Sequence, residues 1–207
     1  FYAHLRFDFS KKLRLKAHLD YSMLRDDLNF QWCSELYGLD NVFKPVFQDL
    51  NVARLGGDFT FLNDEMLSLE VGGNYYLYDG VKNREIAQLF PNYDDQSFRA
   101  YRPNFDAHIT ADLNYKDKVL FHLQGLLLGR MTGQYVYDNS CNSYAFDTLS
   151  MRAGINLEVE YLHNRALSFF VKFDNILGQR YFYWSHYPSR RFTALAGLTY
   201  TIPTKRR

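Results

Sequence analysis

The side chains of this sequence that could do chemistry are mostly charged residues at every second position. One such set contains Arg14, Lys16 and Asp20, and a second contains Asp106 and Asp112. Alternate residues of a β-strand point to the same side, so each set would share a face and could line a path for a polar substrate. The alternative is a solvated wall, in which paired charges contribute about 0.2–1 kcal/mol each. We favour the wall, because any polar face needs such charges.

Four histidines, His4, His18, His108 and His122, also fall on these polar faces and could bind a metal complex. No pair has the spacing of a metal-binding motif, so we predict solvated histidines and no metal site. The sequence also lacks a Ser-His-Asp order, a phosphate loop and a zinc motif. It therefore predicts neither an enzyme nor a bound cofactor.

Both tryptophans and several tyrosines and phenylalanines lie in four long segments, residues 24–49, 80–102, 131–147 and 179–190. Aromatic residues are favoured as recognition anchors, and binding residues collect on loops carried by a rigid scaffold. The predicted ligand-binding residues are Trp32, Tyr37, Tyr93, Tyr135, Trp184 and Tyr187. For the run that begins at Tyr181 we favour an aromatic girdle at a membrane interface, and within it Trp184 and Tyr187 are the side chains expected to touch a ligand.

The two cysteines, Cys33 and Cys141, fall in the first and third of these segments. An oxidising compartment would allow a disulfide, but the chain would have to fold inward to bring the two Cα atoms within about 7 Å. A disulfide and two free thiols both remain open.

Nine stretches with a two-residue period carry these side chains. The clearest stretch is residues 13–23. Its apolar and aromatic residues (leucines, Ala17, Tyr21 and Met23) alternate with charged and polar residues. The stretches are 9 to 13 residues long, and a tilted strand needs about 9–11 residues to cross a bilayer. Three-residue turns at 10–12, 63–65, 116–118 and 163–165 alternate with the long segments. This rhythm predicts an all-β protein, an antiparallel transmembrane β-barrel with short periplasmic turns and long extracellular loops.

The period also predicts which side chains share a face. The lipid-facing set is Ala107, Ile109, Ala111, Leu157, Val159, Phe169, Val171, Ala196 and Leu198. The lumen-facing set is Asp106, His108, Asp112, Glu158, Lys172 and Thr199. A slip of one residue would invert every assignment.

Composition excludes two other classes of protein. The net charge of +1 argues against a nucleic-acid partner, which would select a basic face. No apolar run approaches the roughly 20 residues of a membrane helix.

The odd number of predicted strands indicates that these stretches are only part of a barrel. Bacterial single-chain barrels have an even number of strands, and nine is odd. We predict further strands before Phe1, with an eight-stranded barrel from the second to the ninth stretch as the alternative. On this interpretation residues 1–202 are barrel strands with their turns and loops, and residues 203–207 are a periplasmic tail.

The last forty residues resemble the C-terminal end of TonB-dependent outer-membrane receptors, particularly those of the Bacteroidota. The similarity lies in the run Phe173-Asp174-Asn175-Ile176-Leu177-Gly178-Gln179-Arg180-Tyr181, in Tyr187-Pro188-Ser189-Arg190-Arg191-Phe192, and in the closing Leu195-Ala196-Gly197-Leu198-Thr199-Tyr200. The chain departs from the family pattern where Ile202 is followed by Pro203 to Arg207, without a terminal aromatic residue, and at Arg191, where a small residue often stands.

The resemblance implies a 22-stranded barrel in the bacterial outer membrane, filled by an N-terminal plug domain that is not in this chain. It implies import of a siderophore, glycan or peptide with energy from the TonB complex. Membrane lipid would be the partner of the outer face. A passive porin and a barrel-anchored surface adhesin are the alternatives, and a hydrolase barrel is disfavoured because no nucleophile constellation is present.

Overall fold

The structure, a computed structural model, describes residues 1–33, 42–62, 64–80, 101–138, 143–184 and 187–202. The strands in this part of the chain are β1 Tyr2–Asp8, β2 Arg14–Cys33, β3 Val42–Phe61, β4 Leu67–Gly80, β5 Phe105–Tyr115, β6 Val119–Leu128, β7 Met131–Asp138, β8 Ser143–Leu149, β9 Arg152–Leu162, β10 Leu167–Asp174, β11 Phe182–Trp184, β12 Tyr187–Pro188 and β13 Thr193–Tyr200. Within these ranges no helix has the length and apolarity needed to cross a membrane.

Nine of the strands form one antiparallel sheet in the order β1-β2-β3-β4-β5-β6-β9-β10-β13. Each of these strands pairs with the one before it in the sheet, so the chain runs up and down without crossing over. The prediction of an all-β antiparallel fold is confirmed. In the described part of the chain, β1 and β13 are the two edges and the sheet does not close on itself.

The sheet separates apolar and polar side chains onto two faces. Cross-strand pairing joins Val71 to Ile109 and joins Phe169 to Leu198. On the other face it joins Asp112 to His122. The two predicted sets therefore lie on opposite faces, and we call these the apolar face and the polar face.

Large side chains on the apolar face are exposed in the part of the chain that the structure describes. Leu5, Leu55, Leu77 and Leu198 are each 59–62% exposed. Of the described apolar side chains, those that are buried are Leu50, Met131 and Leu149. An exposed apolar surface of this extent marks contact with a membrane or a partner, not the inner side of a two-sheet sandwich.

Short turns lie at one end of the sheet, as predicted, and we call this the turn end. The β5–β6 turn places Lys116 and Asp117 at φ 56° and 53°, as in the type I′ turn that suits the twist of a hairpin. A hydrogen bond from Lys12, 2.5 Å from Asp64, links two neighbouring turns and holds the pKa of the Asp64 carboxyl below its ordinary value.

The opposite end, the hairpin end, differs from the prediction in the first long segment. Residues 24–49 were expected to form a loop, but β2 and β3 continue through most of it and stay paired from Asp27–Gln48 to Cys33–Val42. A bulge between Leu24 and Asp27, with Asp26 at φ 49°, puts one extra residue into β2. The extra residue shifts the period by one, which hid the continuation of the strand in the sequence.

Two other predicted loops also contain paired strands. Segment 131–147 is largely the hairpin β7–β8, and segment 179–190 contains the short pair β11–β12. The seventh predicted strand, expected to start at Leu149, starts at Arg152, because Leu149 ends β8 and the chain breaks its pairing at Ser150 and Met151.

Leu157→Arg tests the assignment of the two faces. If Leu157 lies against lipid near the midplane, a charge there should lower the free energy of unfolding by about 2–4 kcal/mol. Gln124→Arg is the matched control, since Gln124 pairs with Asn156, next to Leu157, but lies on the polar face. Denaturant unfolding in lipid vesicles measures both, and equal losses would contradict the assignment.

Candidate functional site

The polar face carries a hydrogen-bonded row across β2, β3, β4 and β5. His18 Nε2 lies 2.7 Å from Asn74 Oδ1, and Asn74 Nδ2 donates to Asp106 Oδ1 at 2.9 Å. Tyr76 also donates to Asp106, at 2.6 Å. Gly56 of β3 stands between His18 and Asn74 in the register, and a Cβ there would come within 2.6 Å of His18 Nε2. Glycine therefore allows polar groups of the two outer strands to meet above the middle one.

A second row repeats this arrangement one strand further along. Asp58 of β3, Gly72 of β4 and His108 of β5 lie opposite one another. His108 Nε2 lies 3.3 Å from Asp58 Oδ1, and Glu70 of β4 stands beside them. A Cβ at Gly72 would lie 2.6–2.7 Å from the imidazole of His108, so this contact too depends on glycine.

Two further ion pairs lie on the polar face. His122 Nδ1 lies 2.5 Å from Asp112 Oδ1, and Lys172 Nζ lies 3.4 Å from Glu158 Oε2. These contacts favour the interpretation of a solvated polar wall. The contacts found for these histidines are with an amide or carboxylates, not with a hydroxyl or thiol that could act as a nucleophile.

The β7–β8 hairpin folds back towards the sheet at the hairpin end. It connects β6 to β9 but contacts β2, four places away in the sheet. Tyr101 donates its backbone N–H to Thr132 O of β7 at 2.7 Å, and Arg102 is paired with Asp27 of β2. The hairpin end is therefore built from connected segments, not from separate loops.

Asn175 organises the corner between β10 and β13. It is 6% exposed, and its side chain donates to Gln179 O at 2.9 Å and to Arg190 O at 3.1 Å. Its backbone N–H donates to the side chain of Asn156 in β9 at 2.9 Å. Asn tolerates its φ of 52° better than most residues. One side chain thus holds both ends of the connecting segment.

A cavity of about 380 Å³ opens beside this corner. Its lining combines cations, a carboxylate, an aromatic ring and amides, from Arg190, Arg191, Asp174, Tyr181, Asn156 and Asn175. Two cations against one carboxylate leave a positive charge, which together with the ring and the amides suits a polar or anionic ligand.

The predicted binding residues fall where the side chains are not described. Tyr37, Tyr93 and Cys141 lie outside the described residues. The backbone is described for Trp32, Cys33, Tyr135, Trp184 and Tyr187. It places Trp32 opposite Phe43, Tyr135 opposite Phe146 and Trp184 opposite Tyr187, all in hairpins at the hairpin end.

Sequence reasoning missed two features of the polar face and its rim. Metal-ligand spacing within the sequence gives no sign of this cluster, because His108 meets carboxylates of two other strands. The signal was Gly72 on the polar face, because a glycine at a lumen position marks a close approach of its neighbours. Asn175 was noted within the resemblance but not as the residue that holds the corner.

Substitutions at Asn175 test its role in the corner. Asn175→Ala should lower the free energy of unfolding by about 1–3 kcal/mol, because two carbonyl groups lose their donor. Asn175→Gly removes the same bonds but tolerates the positive φ, so it should cost less than the alanine variant. Denaturation midpoints and proteolysis of residues 175–192 measure both. Wild-type stability of the glycine variant would show that only the backbone angle matters.

Comparison with known proteins finds this architecture among solved structures. No family model and no curated protein matches the sequence. Among solved structures, the chain is similar to the copper transporter OprC (TM-score 0.67, 11% identity, 95% of this chain and 31% of that one). It is also similar to the ferripyoverdine receptor of the outer membrane of Pseudomonas aeruginosa (0.65, 10%, 96% and 26%) and to the FrpB iron transporter from Neisseria meningitidis (0.63, 10%, 95% and 29%).

The chain thus spans about a quarter to a third of the length of these proteins. They are receptors and transporters, not enzymes. At 10–11% identity the similarity concerns the fold. The nine-stranded sheet has the fold of part of the β-barrel of TonB-dependent outer-membrane receptors.

Proposed function

We propose that this chain is part of the barrel wall of a TonB-dependent receptor in the bacterial outer membrane, and that the receptor imports a scarce nutrient. The observation that carries the proposal is the match of 95% of the chain to the barrel fold of such transporters. The amphipathic sheet gives independent support. Its exposed apolar face suits lipid, and its paired charges suit a wet lumen.

The energised step belongs to parts of the receptor beyond this chain. A plug domain and the TonB complex are partners by resemblance, and the polar face is the surface that a plug would meet. On this proposal the short turns and residues 203–207 are periplasmic, and the hairpin end is extracellular. The Bacteroidota origin and the count of 22 strands rest on the C-terminal resemblance.

The ligand would bind at the hairpin end. The backbone positions of Trp32, Tyr135, Trp184 and Tyr187 in hairpins of this end support the proposal. On this proposal the ligand is a siderophore, a glycan or a peptide. Arg190 and Arg191 beside the corner cavity favour an anionic group, such as those by which ferric siderophores hold iron.

The contact of β7 with β2 favours the disulfide between Cys33 and Cys141 over two free thiols. It brings β7, which ends three residues before Cys141 in the sequence, towards β2, which ends at Cys33. Alkylation before and after reduction, followed by mass spectrometry, distinguishes the two states. Two alkylated cysteines without reduction would refute the disulfide.

Uptake measured with and without a working TonB complex tests the proposed function. A strain lacking this protein would be complemented and supplied with ferric siderophores, oligosaccharides or peptides as its only source of iron, carbon or nitrogen. Import by a receptor should stop when TonB is inactivated. Uptake that continues would favour the porin, and surface attachment without uptake would favour the adhesin.

Shortening the first hairpin locates the ligand. Removing residues 28–47 and joining Asp27 to Gln48 through a two-residue turn leaves the nine-stranded sheet intact. The variant should bind ligand at least about tenfold more weakly, as expected for loss of one aromatic anchor worth about 2 kcal/mol. Lys11→Ala and Asp117→Ala in the short turns are the controls. Loss of uptake in these controls alone would place the site elsewhere.

A further inference from the structure

We propose that Asp58, Glu70 and His108 form a binding site for a divalent transition-metal ion on the polar face of the sheet. The site would join β3, β4 and β5 through one shared ion. It goes beyond the proposed import of a nutrient, since it concerns the barrel wall itself and does not depend on which ligand is carried.

The strand register brings the three side chains together. Asp58 and His108 both stand opposite Gly72, and Glu70 lies two residues before Gly72 on the same face of β4. Strands lie about 4.8 Å apart, so Asp58 and His108 are separated by two spacings and must lean across β4 to meet. They can do so because Gly72 has no side chain: a Cβ would lie 2.6 Å from His108 Cε1 and closer still to Asp58 Oδ1.

The distances suit a common ion. One donor atom of each residue lies within 4.8 Å of the other two. His108 Nε2 and Asp58 Oδ1 are 3.3 Å apart, longer than the 2.7 Å and 2.5 Å contacts of His18 and His122. Two ligands bound to zinc at 2.0–2.2 Å in a tetrahedral site are about 3.4 Å apart. The pair therefore already has the spacing of two ligands, and the donor oxygen of Glu70 lies at most 4.8 Å from each of them.

The donor set defines the class of ion. One imidazole and two carboxylates supply nitrogen and oxygen ligands, as zinc and other first-row divalent metals prefer. Calcium would need six to eight oxygen atoms, more than this cluster offers. The two carboxylates balance the charge of a divalent ion. The side chains are 22–34% exposed, so water can complete the coordination.

Neighbouring groups hold Glu70 ready for this role. Thr60 Oγ1 donates to Glu70 Oε2 at 3.1 Å, and Lys16 Nζ lies 3.9 Å from the same oxygen. A hydrogen bond that orients a ligating carboxylate is a usual companion of metal sites. Lys16 competes with the ion for Glu70, but it is exposed and flexible enough to turn into the solvent.

Zinc titration of the purified protein tests the proposal. The complete protein would be extracted from membranes in detergent, stripped of metal with a chelator, and titrated with Zn²⁺ against a competing dye. We expect one saturable site per chain. Asp58→Asn, Glu70→Gln and His108→Ala should each lower the affinity at least about tenfold, since losing even an outer partner of a ligand costs 10–100-fold.

Matched variants separate this site from general effects on the fold. Gly72→Ala should also weaken Zn²⁺ binding, because the added methyl group separates Asp58 from His108. Gly56→Ala and His18→Ala alter the adjacent row, where the partner of the histidine is the amide of Asn74, and should leave the affinity unchanged. Circular dichroism checks that each variant is folded. If the other variants do not fold, the isosteric Asp58→Asn variant alone tests the site.

Two results would overturn the proposal. The first is the absence of saturable Zn²⁺ binding up to about 1 mM, an affinity equivalent to only about 4 kcal/mol. The second is a saturable site whose affinity is the same in wild type, Asp58→Asn and His108→Ala. Equal losses in the Gly72→Ala and Gly56→Ala variants would also contradict the role given to Gly72.

Discussion

Hydrogen bonds between neighbouring strands set the position of every other feature of this sheet. In a bilayer no water is present to satisfy backbone N–H and C=O groups, so strands must satisfy one another. The nine-stranded sheet does this through continuous antiparallel pairing. Once the strands are paired, the two-residue period sends every second side chain to the same face, and the division into an apolar and a polar face follows from that pairing.

Glycine on the polar face adds a second level of organisation. Paired strands fix Cα positions, and short polar side chains two strands apart would not normally touch. Gly56 and Gly72 remove the side chain that would intervene. The His18–Asn74 and Asp58–His108 contacts are the result. The two rows share a geometry but differ in chemistry, because an amide stands in one where a carboxylate stands in the other.

The two ends of the sheet differ in structure. At the turn end, short polar turns simply reverse the chain between neighbouring strands. The hairpin end carries extended strands, a hairpin that contacts a distant strand, and a corner held by the buried amide of Asn175. Binding surfaces are usually built on segments carried by a rigid scaffold, and here hydrogen bonds to β9 and between segments supply that rigidity.

The two-residue period of the sequence was enough to predict the strands of the large sheet, the short turns and the two faces. These features depend on a local two-residue period, which can be read from neighbours in the chain. It did not reveal the continuation of β2 beyond Leu24, because one extra residue in a bulge reverses the period. The approach of His108 to Asp58 and the approach of β7 to β2 could not be predicted from the sequence. Those contacts join residues far apart in the chain, and they depend on register, on an absent side chain at Gly72 and on the direction in which a hairpin folds.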